Sequence, residues 1–139
     1  HRFGDMVEHM VVPNLVKKFR DLGFEFNKAG PNVEIEDPEH GIMLEIDAFL
    51  ENGDKVMIVE IKSKPNALDV NRHIKRMETL RKYADLHNDK RTYLGAVAGV
   101  VFGKNEKIYA LEKGFYVIEP SGDTFDITPP EGIYRPREW

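Results

Sequence analysis

Apolar residues recur along this chain with two different periods, and the switches between them mark its elements. Over residues 5–22, Val7, Val11, Leu15, Phe19 and Leu22 fall on one face at helical spacing while Lys17, Arg20 and Asp21 fall opposite, which predicts an amphipathic helix. Pro13 is expected to kink or divide it, and Glu8 projects into the apolar stripe. Gly23 suits the helix end. Phe24–Phe26 and Val33–Glu36 then read as a short extended segment and a first strand, separated by a loop over Asn27–Asn32 and followed by a turn at Asp37-Pro38. Farther on, Asp69 is the expected N-cap of a helix running to about His87, with Val70, Ile74, Met77, Leu80 and Ala84 as its core stripe. Tyr93–Phe102 reads as a buried strand, Lys104–Lys113 as a helix ending at Gly114, and Phe115–Ile118 and Thr124–Ile127 as strands. The Pro-rich end, residues 128–139, carries Tyr134 and Trp139, which can pack back on the domain or meet a partner.

Between the two long helices lies a hairpin, Glu45–Lys64, with Asn52-Gly53 at its centre. Asn-Gly between apolar runs predicts a two-residue type I′ turn, because both residues tolerate positive φ. That turn would pair Glu51 with Asp54, Asp47 with Ile58 and Glu45 with Glu60, placing Glu45, Asp47, Glu60 and Lys62 on one face. A four-residue loop keeps this arrangement, whereas a three-residue loop would send the carboxylates to opposite faces.

The strand Val56–Lys62 is apolar on both faces until its end, the pattern of a central strand covered on both sides. A carboxylate at Glu60 in those surroundings needs a cation, either a neighbouring side chain or a metal. Two or three carboxylates beside one ammonium make an oxygen-rich pocket for a hard divalent cation. The plainer alternative is an exposed strand end with a cross-strand ion pair, and hairpin geometry alone leaves both open.

Composition narrows the classes. At 139 residues the chain has the size of one domain and can bury a core without a structural metal or disulfide. It has no Cys, which excludes disulfides and thiolate zinc sites and fits a cytoplasmic location. No apolar run has the length of a membrane span, and no signal peptide is visible. The net charge of −4 is unevenly spread: residues 62–91 hold nine Lys and Arg against four Asp and Glu, whereas residues 1–61 hold six against thirteen. This basic segment directly after the hairpin, with Lys64, Arg72, Lys75 and Arg76 outward, is where a polyanion could lie; a solvated helix face is the plainer reading. Gly99–Lys104 lacks the spacing and the Ser or Thr of a phosphate-binding loop. Gly95 and Gly99 fit close packing on a central strand. His40, alone before the hairpin, receives no role.

Asp47, followed thirteen positions later by Glu60-Ile61-Lys62 at the end of an apolar strand, resembles the restriction-endonuclease-like, PD-(D/E)xK nuclease superfamily. The run GIMLEIDAFLENGDKVMIVEIKSKP is similar to its archaeal resolvase-like and uncharacterised prokaryotic branches, and the likeness covers roughly residues 5–103. Ile46 stands where many members have the name-giving proline. The resemblance implies a single α/β domain over 1–139, a mixed central sheet flanked by helices in αβββαβ order. It implies a nuclease that hydrolyses DNA with Mg²⁺ or Mn²⁺, Asp47 and Glu60 holding the metal and Lys62 acting on the attacking water. Glu8 would be the acidic residue that the superfamily often places on its first helix beside the metal. Some branches carry a Gln-xxx-Tyr pair on the helix after the Lys strand; here Thr79 precedes Tyr83, and His73 or Arg76 is the candidate for an assisting role. A non-catalytic nucleic-acid-binding or assembly domain that keeps the fold is the alternative. DNA against RNA, the substrate's structure, endo- against exonuclease action and the oligomeric state, a homodimer included, stay open.

Overall fold

The computed structural model describes residues 2–139, and side chains from Val12 onward. The elements are α1 (Arg2–Asp21), β1 (Lys28–Asp37), a single 3₁₀ turn (Pro38–His40), β2 (Ile42–Glu51), β3 (Lys55–Lys62), α2 (Ala67–Leu86), β4 (Thr92–Gly99), α3 (Lys104–Glu112), β5 (Tyr116–Ser121) and β6 (Thr124–Thr128). The strands form one open mixed α/β sheet in which spatial order equals chain order. β3, β4 and β5 run parallel, joined by the crossover helices α2 and α3, while β1, β2 and β6 extend the two sides antiparallel.

Side-chain alternation on the central strands divides the interior into two cores. On one face Leu15 and Phe19 of α1 meet Met57, Val59 and Ile61 of β3 and Ala96 of β4. On the other, Val70, Met77, Leu80 and Ala84 of α2 and Ala110 of α3 meet Val56, Ile58 and Val97. β3 is buried from Val56 to Ile61, as a strand sandwiched between helices must be. Among the described residues, no helix is long and apolar enough to cross a membrane.

Several boundaries differ from the sequence expectation. α1 runs unbroken through Pro13, which lies exposed; a proline removes one hydrogen bond of a long helix, and packing of Leu15 and Phe19 holds the turns on its C-terminal side. Val12 is buried where Leu22 was expected to be, and Leu22 is exposed. The loop expected over Asn27–Asn32 is, from Lys28 onward, part of β1. Pro31 is tolerated there because β1 is an edge strand, on which a missing N–H leaves no ladder bond unmade. α2 begins earlier than predicted: Asn66 is its N-cap, and Asp69 is the third helical residue, closing a reciprocal capping box with Asn66 at 2.9 and 3.0 Å. β4 stops at Gly99, where an added Cβ would lie 2.5 Å from Pro65.

The hairpin turn also differs. Neither Asn52 nor Gly53 has positive φ. Instead the Asn52 side-chain oxygen accepts from the backbone N–H groups of Asp54 and Lys55, both at 2.8 Å, so that Gly53-Asp54 becomes the loop. The register moves by two residues: Glu51 pairs with Val56 and Ala48 with Val59. An even shift preserves which residues share a face, which is why the site survives it.

Beyond Ala48–Val59, β2 leaves β3 and continues only as β1's partner. Both strands change face there. Ala48 packs in the α1 core but Ile46 in the α2 core; Ala29 and Val33 on β1 divide in the same way, about Asn32 with its left-handed φ of 53°. Asp47 sits at the pivot of this two-stranded ribbon, opposite Asn32, whose neighbours pair Pro31 with Ala48 and Val33 with Ile46.

Candidate metal centre

Where β2 parts from β3, the N–H of Ile61 loses its ladder partner, and Asp47 replaces it: its Oδ2 accepts from Ile61 N at 2.8 Å. This bond holds the Asp47 carboxyl against the end of β3, within hydrogen-bonding reach of the Glu60 carboxyl. Glu60 points to the α2 face and is only 6% exposed. Two carboxylates in contact at a poorly solvated place cannot both ionise without compensation. Burial first, and then the hydrogen bond that the protonated Glu60 carboxyl donates to Asp47, pushes Glu60 up to about 8, against the opposing pull of Arg76 and Lys62. At neutral pH the pair therefore retains a proton.

The compensating cation comes from α2. Arg76 Nη1 is 2.9 Å from Glu60 Oε2 and 2.8 Å from His73 Nδ1. Because a carbonyl can only accept, the 3.1 Å contact of His73 Nε2 with the Ile58 carbonyl fixes the proton on Nε2 and leaves Nδ1 as the acceptor for Arg76. His73 is completely buried, and burial, reinforced by the Arg76 charge, lowers its pKa to about 3, so it stays neutral. Gly95 makes room for the Phe115 ring that packs on His73: a Cβ there would meet that ring at 2.5 Å, whereas His73 Nε2 would lie at an ordinary 3.5 Å. His73 was expected at the edge of the core stripe and Arg76 in solvent; one is core, and the other turns inward to Glu60. Helical projection could not place them, because what turns them is the carboxyl on a neighbouring strand.

The remaining predicted residues divide. Lys62 follows Glu60 by two positions, on the same face at the exposed end of β3, close enough to draw the Glu60 pKa downward; among the described residues no ion pair engages it. Glu45 does not oppose Glu60, because the two-residue shift in register sets Asp47 there instead and β2 has left β3 by Glu45; it pairs with Glu34 on β1 and stays exposed. The Glu8 side chain lies outside the described residues. Arg72, Lys75 and Arg76 line a cleft of about 450 Å³ whose other wall, from the ribbon, includes Glu45. A second cleft of about 390 Å³ reaches Asp47 itself, beside Glu34 and Glu45. Lys64 is exposed between β3 and α2, outside both of these clefts.

Asp47 and Glu60 suit a divalent cation by their chemistry: they are hard oxygen donors from adjoining strands, already sharing one positive charge as a proton. A second group, Asp37, Glu39 and His40, also brings three donors within 4.8 Å of one another. There the contacts are accounted for by helix capping, since Asp37 accepts from the backbone N–H of His40 at 3.3 Å and lies 2.9 Å from its Nδ1. The His40 hydrogen bond lowers the Asp37 pKa. No family model, curated protein or solved structure matches this chain.

Proposed function

We propose that this domain is a metal-dependent nuclease of the restriction-endonuclease-like, PD-(D/E)xK type, hydrolysing phosphodiester bonds in DNA. The observation that carries the reading is the meeting of the Asp47 and Glu60 carboxyls at the end of the central strand β3, beside Lys62 and next to a cleft with a basic wall. Mg²⁺ or Mn²⁺ bound by the two carboxyls supplies Lewis-acid polarisation and a more acidic water. Lys62, free of any described ion pair, would orient that water by donating from its ammonium, or take the water's proton as a neutral amine and become the ammonium, and in either case the positive charge would offset the negative charge growing on the phosphoryl oxygens. Glu8 joins the metal ligands in this reading. Arg72 and Lys75, with Lys64 nearby, hold the phosphate backbone through contacts that carry no sequence information.

A second reading draws on the Arg76–Glu60 ion pair. It supplies a protein cation for Glu60, as a non-catalytic nucleic-acid-binding or assembly domain would need. Cleavage assays on single-stranded, duplex and branched DNA with Mg²⁺ or Mn²⁺ separate the two. The nuclease reading expects cleavage that Lys62→Ala abolishes while cation binding persists, and that Asp47→Ala abolishes together with cation binding. DNA binding without cleavage on any of the three substrates favours the second reading, and absence of both binding and cleavage rejects both.

A further inference from the structure

Arg76 makes both of its protein contacts through one nitrogen. Nη1 donates to His73 Nδ1 at 2.8 Å and lies 2.9 Å from Glu60 Oε2 in an ion pair. The three N–H groups of Nε and Nη2 have no acceptor among the described residues, while the side chain lines the 450 Å³ cleft and remains 20% exposed. Its two anchors also differ in kind. The neutral His73 is locked by the Ile58 carbonyl and keeps its lone pair whatever happens at Glu60, whereas Glu60 is a carboxyl for which a dication would compete.

Resting on the nuclease reading above, we propose that Arg76 is a substrate-binding residue that a divalent cation frees from Glu60, so that its guanidinium, still tethered to His73, takes a phosphodiester oxygen in the cleft beside Arg72 and Lys75. A dication on Asp47 and Glu60 removes the attraction that holds Arg76 inward and adds repulsion of like charge. A phosphate in the cleft supplies the missing anion, and the unused donors form the fork that pairs best with one. Arg72 and Lys75 are poorer at fixing a phosphate position: both are exposed, and Arg72 is held only by a 3.8 Å contact to Asp69. Cation and nucleic acid would then bind cooperatively, with Arg76 as the coupling element.

The test measures two affinities on the full chain: Mn²⁺ by calorimetry, and fluorescein-labelled single-stranded and duplex DNA oligonucleotides by anisotropy, with Ca²⁺ or with chelator. Arg76→Gln should bind Mn²⁺ about tenfold more tightly, because a competing charge is gone. It should bind oligonucleotide in Ca²⁺ about tenfold more weakly, with most of the cation-dependent gain lost. Arg76→Lys keeps the charge but not the fork, so its Mn²⁺ affinity should stay near wild type while oligonucleotide binding in Ca²⁺ weakens. A purely structural Arg76 would weaken both affinities together in Arg76→Gln, and that result overturns the inference. So does oligonucleotide affinity unchanged in Arg76→Lys, which decides the matter if Arg76→Gln does not fold. A wild-type protein that binds neither Mn²⁺ nor DNA rejects the nuclease reading as well; binding of both, indifferent to Arg76, rejects this inference alone.

Discussion

The β2–β3 hairpin carries a charged cluster at each end, and the two are built on opposite principles. At the turn end, Glu51 and Asp89 are each matched by Arg91: an ion pair closes on Glu51, and another of 2.8 Å closes on Asp89. Tyr93 donates its hydroxyl to Asp89 at 2.7 Å, and Arg81 bonds the backbone oxygens of Asp89, Arg91 and Trp139. The Arg91 hydrogen bonds hold the Asp89 carboxyl far below the usual range. Glu51, Asp89 and Arg91 thus each have a partner of opposite sign. At the other end, the Glu60 carboxyl lies within hydrogen-bonding reach of the Asp47 carboxyl, the Arg76 guanidinium pairs with Glu60, no described ion pair engages Asp47, and Glu60 is pushed in the opposite direction. The turn end is a satisfied latch, whereas the strand end is left short of positive charge.

That contrast can be broken from either side. The largest effect is expected from Glu60→Gln, which removes one of the two carboxyls proposed to hold the metal: Mn²⁺ affinity should fall on the order of 100-fold or more. Stability at pH 8 measured by urea unfolding should hold or rise, since the variant relieves the clash with Asp47. Arg91→Ala should do the reverse. It leaves Glu51 with only the 3.8 Å Lys28 contact and Asp89 with no described ion pair, their side chains being 21% and 19% exposed, and after allowance for solvent screening should cost about 1–3 kcal/mol while leaving Mn²⁺ affinity unchanged.

The pH dependence of stability sharpens the comparison. The folded-state pKa of Glu60 is raised, so the folded protein holds the extra proton and stability falls as pH rises from about 4.5 to about 8. The pKa of His73 is depressed, so stability rises with pH between about 3 and 6.5. The two slopes oppose each other between about 4.5 and 6.5. From about 6.5 to 8 Glu60 acts alone, with a limiting slope of about 1.4 kcal/mol per pH unit. Urea midpoints across that window should decline in wild type, and Glu60→Gln should flatten the decline. Saturating Mn²⁺ should reverse it, because a cation binds the ionised pair. The smallest effect is expected from Tyr93→Phe, which deletes one hydrogen bond of the latch, about 0.5–1.5 kcal/mol in thermal unfolding, with no change at the strand end.

The sequence made the elements and the facing of Asp47, Glu60 and Lys62 legible for a physical reason: period-two alternation determines which side chains share a face, and an even error in register leaves the facing intact. It could not reveal that Asn52 would accept hydrogen bonds from the turn instead of adopting positive φ, because the residue supports both. Nor could it show that β2 departs from β3 on the N-terminal side of Ala48. That departure, together with the shift in register, separates Glu45 from Glu60, and it makes the Asp47 bond to Ile61 necessary. Arg76 and His73 were legible as helix positions but not as partners of Glu60, since a helical wheel carries no information about what stands opposite. A lone polar His73 at the edge of an apolar stripe was the available clue, for a buried imidazole must find partners for both nitrogens.

The sheet's spatial order repeats its chain order, so no strand is inserted between two formed earlier. Asp47, Glu60, Lys62, His73 and Arg76 all fall within one continuous stretch of thirty residues spanning the hairpin and the helix that follows it. Short separations make the loops among these groups cheap to close in entropy. The hairpin and α2 can therefore collapse together as an early folding unit, bringing the charge-poor centre into being before β5 and β6 dock. Substitutions in those last strands should then raise the unfolding rate while leaving the rate of folding nearly untouched.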